Sequence, residues 1–101
     1  MTESDWKKFK IIRDNALQAL CESILADTKN IIDNDSKDFH SRYLDLYELV
    51  RKKDKKISQV FDGLSRSKAT IQLMQLRAMG LVSEPELIEL TTEFEEQTRP
   101  L

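Results

Sequence analysis

Cys21 and His40 are the only cysteine and histidine in this 101-residue chain, so nucleophilic or proton-shuttling chemistry near neutral pH would fall to them. Their number is itself informative. A structural zinc site needs four ligands drawn mainly from these two residue types, and one of each is too few. One cysteine also excludes a disulfide within the chain. Cys21 recurs at helical spacing with Leu17, Ile24 and Leu25, which is the pattern of a small buried apolar side chain. His40 follows a loop, so the two are not expected to form a Cys–His pair. The carboxylates are numerous, but no loop gathers the six or more oxygens that calcium takes. No glycine-rich phosphate loop, nucleophile elbow or H-E-x-x-H is present. The residues therefore point away from an enzyme, with no cofactor or metal called for.

A polar pair remains. Arg13 interrupts the apolar stripe of the first helical segment, and Asp54 interrupts that of the second. If the two segments form a hairpin centred near residue 35, level positions have numbers adding to about 70 and Asp54 lies one turn from Arg13. The two are expected either to form a polar layer that sets register, or to reach outward from the stripe edge.

Periodicity supplies the elements that would position these groups. The first helix is expected over about residues 4–33, with Trp6, Phe9, Ala16, Leu20, Ile24 and Ile31 on one face. Such a helix is roughly 40 Å long at 1.5 Å per residue. Asp33-Asn34-Asp35-Ser36 is a loop of residues that bond their own backbone. A second helix follows over 37–62, with Phe39, Tyr43, Leu46, Val50, Ile57 and Val60 in its stripe. Gly63 suits its end. A third helix over 66–79 is apolar on two sides, with Leu73 and Leu76 opposite Ile71, Met74 and Ala78. Gly80-Leu81 reads as a Schellman ending, Ser83-Glu84-Pro85-Glu86 as a capping box, and Val82 with Leu87 as a hydrophobic staple. A fourth helix is expected over 84–97. The turn at Gly80 is of a kind shared by many helical hairpins and implies no function.

Composition agrees with this architecture. Two Gly, two Pro and three Val in the whole chain argue against an all-β fold. No apolar run approaches the ~18 residues of a membrane span. The first residues, MTESDWKKFK, lack the apolar core of a signal peptide. No membrane is expected as a partner, and a cytoplasmic location is.

The net charge of −2 hides a sharp unevenness. Residues 51–82 carry 8 basic and 2 acidic side chains, whereas residues 83–101 carry Arg99 against six glutamates. The basic middle (Arg51, Lys52, Lys55, Lys56, Arg66 and Lys68) could contact phosphates. The solvated-face reading is preferred, since no aromatic side chains interleave with it as a single-strand platform requires. A helix-turn-helix reading fails on sign, because the would-be recognition helix carries the six glutamates toward a polyanion.

The expectation is an all-α, single-domain, four-helix up-down type bundle: two long antiparallel helices and a shorter C-terminal helical hairpin. The expected function is a non-enzymatic protein–protein interaction module, self-associating as a homodimer. Its candidate interface is Ile71, Met74, Ala78 and Leu81, aided by Leu44 and Leu49. The alternative is a nucleic-acid-associated accessory or regulatory protein that uses the basic 51–77 region.

Overall fold

The computed structural model describes residues 1–101. The chain is all-α, with helices α1 (Glu3–Ile32), α2 (Phe39–Phe61), α3 (Arg66–Ala78), α4 (Glu84–Ile88) and α5 (Thr92–Gln97). The first three are the long ones and match the expected segments to within two residues. The first two start where a short polar side chain replaces a missing intrahelical acceptor. Thr2 and Asp5 close a capping box on α1, and the Asp38 carboxylate accepts from the Ser41 N–H at 2.7 Å on α2. At the end of α3, the Leu81 N–H reaches the Leu76 carbonyl at 3.1 Å and the Gly80 N–H reaches that of Arg77 at 3.0 Å. This is the Schellman pattern, made possible by Gly80 at φ +72°. Val82 packs on the cluster that buries Leu87, as the staple requires.

The single helix expected over 84–97 does not form. It breaks into α4 and α5 because Thr91 leaves helical geometry, at φ −61° and ψ 149°, and becomes the N-cap of α5. The competing partner is Asp5, 86 residues earlier. Its carboxylate accepts from the Thr91 N–H at 2.9 Å and from the Thr91 hydroxyl at 2.7 Å, while also taking the Thr2 N–H at 3.1 Å. One buried side chain thus caps the first helix and anchors the last. The kink also allows Leu87, Leu90 and Phe94 to turn inward together.

The core has two adjoining parts. Phe9 and Ile12 of α1 pack with Ala69 and Leu73 of α3 and with Leu87, Leu90 and Phe94. Beside them, Ala16 and Leu20 meet Val60, Phe61 and Leu76. Arg77 ties α5 to α3, donating to the Glu95 carbonyl at 2.7 Å and to the buried Thr98 hydroxyl at 2.9 Å. Gln72 donates to the Asp62 and Gly63 carbonyls and so holds the α2–α3 turn, where Gly63 sits at φ +74°.

Long helices α1 and α2 run antiparallel. Arg13 donates to the Phe61 carbonyl at one end, and Arg42 donates to the Ile32 carbonyl at the other. Both pairs have numbers adding to 74, so the register is one turn away from the expected one. The molecule extends over 53 × 24 × 23 Å.

Candidate functional site

All of the buried residues lie before position 21 or after position 59. The outer part of the α1–α2 hairpin, residues 21–59, is therefore an arm without a core of its own. Nothing from α3, α4 or α5 covers one of its flanks. Leu25, Ile32, Phe39, Tyr43, Tyr47 and Val50 line that flank at between 50 and 84% exposure. At 100° per residue, the α2 members of the set share one side of the helix. Lys56, Gln59 and Val60 lie round from it and face Gln75, Ala78 and Met79 of α3.

Two clefts follow the seam between the helices. The inner one, about 230 Å³, is lined chiefly by Cys21, Ile24, Leu25, Val50 and Ile57, with Lys53 and Asp54 at its margin. The outer one, about 290 Å³, is bounded by Ile32, Phe39, Arg42, Tyr43 and Leu46. Cys21 is half-buried at the inner cleft rather than enclosed in a core. His40 is exposed on the first turn of α2, beyond the loop.

Arg42 joins the two helices at the tip. Arg42 donates to the C-terminal carbonyl of α1 at 2.7 Å, and its guanidinium lies 4.8 Å from the centre of the Phe39 ring. Its carbon stem covers apolar surface while its head satisfies a helix end. Phe39 is otherwise bare, at 84% exposure.

The expected polar layer is absent. With levels adding to 74, Asp54 lies beside Leu20 and Cys21 rather than near Arg13. Arg13 instead closes the end of α2 through the Phe61 carbonyl, with its guanidinium 5.7 Å from the Phe61 ring centre. Asp54 is exposed.

Of the four apolar residues singled out on α3 and its turn, Ile71 and Ala78 are exposed and Met74 is half-buried. Leu81 packs against the second part of the core. Leu44 is exposed and Leu49 half-buried. These positions do not form a surface as extensive as the arm's.

The basic residues are dispersed. Arg51 and Lys52 pair with Glu48 at 2.7 and 3.4 Å, whereas Arg66 pairs with Glu3 at 2.6 Å and stacks on Trp6. Lys55 and Lys56 project from α2 with no carboxylate within salt-bridge reach. No group of three His, Cys, Asp or Glu side chains converges in a way that could hold a metal ion. No helix is long and apolar enough to cross a membrane.

Comparison with family models, curated proteins and solved structures gives no match. The geometry of the arm is accordingly the ground for a functional reading.

Among the ionisable groups, Asp5 is the one whose environment bears on the fold. Burial pushes its carboxyl pKa up, but the hydrogen bonds from Thr91 and Thr2 outweigh that and hold it below the ordinary aspartate value. Asp5 is not among the residues singled out from the sequence. The available signal was the Thr2-x-x-Asp5 spacing of a capping box.

Proposed function

We propose that this chain is a non-enzymatic helical protein–protein interaction module that self-associates, most simply as a dimer, through the exposed flank of the arm. The observation that carries this reading is the contrast within one helix pair: large apolar side chains bare over residues 21–59, beside a core that encloses their neighbours. Isolated exposed apolar residues are ordinary, but a contiguous run of six with two tyrosines has the composition of an interface core. The arm takes precedence over the α3 face, because its apolar set is longer and borders two clefts.

Nucleic-acid binding through the basic 51–77 region has less support, since four of its eight basic side chains are already paired with carboxylates. The test is sedimentation velocity at tens of micromolar. The expected result is a dimer that becomes monomeric when Tyr43→Glu and Val50→Glu are combined, with helix content unchanged by circular dichroism. A monomeric unmodified chain overturns the reading. Retention on heparin that weakens steeply with salt would favour the nucleic-acid alternative.

A further inference from the structure

We infer that self-association of this chain is controlled by the protonation of His40, whose ring must be neutral for two arms to join. The inference rests on the self-association proposed above and adds what regulates it.

His40, Tyr43, Leu44 and Tyr47 occupy positions i, i+3, i+4 and i+7 of α2, so they share one side of the helix. The three neighbours of the histidine are large and bare, at 63, 48 and 59% exposure. His40 is itself exposed. The ring therefore stands among side chains that a second copy would cover, at the outer end of the bare flank.

No group within the chain compensates a charge on this ring. None of the chain's ion pairs includes His40. The charges around it are engaged elsewhere. On α2 and the loop before it, the Asp38 carboxylate accepts from the Ser41 N–H, Lys37 pairs with Asp45, Asp35 lies 3.9 Å from Arg42, and Glu48 holds Arg51. Lys29 and Asp33, at the end of α1, complete the charges of the tip. His40 also sits on the first turn of a 23-residue helix, the positive end of its dipole and the unfavourable one for a cation.

Covering the ring strips water from it. That costs little for a neutral imidazole and much for an unpaired imidazolium, and the repulsion from the helix end grows as the surface dries. Joining two arms thus releases protons, so the dimer is favoured at the alkaline side of the histidine range and opposed at the acidic side. A two-fold dimer carries the residue twice. Carboxylates titrate below this range and lysines and tyrosines above it. His40 is the only histidine in the chain, and histidine is the side chain whose ordinary charge change falls between pH 5 and 8.

The experiment is sedimentation equilibrium on the full chain at about pH 7.5 and about pH 5.5, either side of the ordinary histidine range. Circular dichroism at both values checks that the helices stay intact. The dimerisation constant is expected to fall about tenfold on acidification, because each of two imidazoles must give up its proton to be covered. His40→Gln, polar but without charge, is expected to dimerise equally at both values. His40→Lys, charged at both, is expected to dimerise weakly at both. A dimer that loosens in acid, with a His40→Gln dimer that does not, supports the inference. A dimer of equal strength at both values, or an acid weakening that survives in His40→Gln, overturns it and leaves self-association standing. A chain that is monomeric at both values, unmodified and as His40→Gln, overturns the proposed function and the inference with it.

Discussion

Leu20 and Leu25 stand five residues apart on α1, yet one is 6% exposed and the other 68%. The helix continues unbroken past both, and both belong to the apolar set read from periodicity. The two lie about 140° apart round the helix at 100° per residue, and the rest of the chain covers only the side and the stretch that Leu20 occupies. Helix α3 has 13 residues and α1 has 30, so at 1.5 Å per residue α3 spans less than half of its neighbour. The chain after α3 doubles back at Gly80 and bends again at Leu90, which keeps α4 and α5 at the same end. Amphipathicity makes a helix ready to be covered, whereas coverage depends on the length and path of the rest of the chain. At the core end the covering is intramolecular. On the arm no other segment of the chain supplies it.

The sharpest way to test the contrast is to delete one large side chain from each region. Phe94→Ala removes a ring with 0% exposure and is expected to cost about 3–5 kcal/mol in urea unfolding. Tyr43→Ala on the arm is expected to change the stability of the monomer by less than about 0.5 kcal/mol. Equal costs would mean that the arm has a core of its own.

A smaller effect is expected at the clamp between the two termini. Asp5→Ala frees the Thr91 N–H and hydroxyl and removes the N3 partner of the α1 cap, at a cost of about 2–3 kcal/mol. The same residue predicts a pH dependence. Because its folded pKa is lowered, its contribution is fully present above the unfolded value of about 4 and is lost as pH falls through the lower folded value. Acid titration of the unmodified protein should therefore show stability declining below about pH 4. That decline should be shallower in Asp5→Ala.

Arg13→Ala is expected to cost about 1 kcal/mol, because it leaves the Phe61 carbonyl without its donor where the core gives way to the arm. Asp54→Ala, at the exposed margin of the inner cleft, is expected to change stability by less than about 0.5 kcal/mol. A large loss for Asp54→Ala in thermal melts would restore the polar layer that the register argues against.

Much of the architecture was legible in the residues, and the misses share a cause. Gly63, Gly80 and the Ser83–Glu86 pair marked helix boundaries correctly, because capping involves groups a few residues apart. The stripe of α1 and α2 was legible for the same reason. Thr91 falls inside the single helix expected over 84–97, and nothing near it in sequence says otherwise. The arm's bare flank was legible only as a surplus of apolar surface, and that surplus was assigned mainly to α3, whose two-faced pattern resembled an interface. In the fold one face of α3 packs on α1 with Leu73 and Leu76, while Ile71 and Ala78 remain outside.

The amino-acid order alone thus determined that the chain is helical, where its three long helices begin and end, and that it holds more apolar surface than one small core encloses. Those properties depend on hydrogen bonds and periodicities spanning a few residues. Tertiary structure decided the break at Thr91, the register that parts Arg13 from Asp54, and which flank of the hairpin stays bare. Each of these depends on groups that meet only when distant segments pack: Asp5 with Thr91 across 86 residues, and Arg13 with Phe61 across 48. No local pattern encodes a partner so far along the chain.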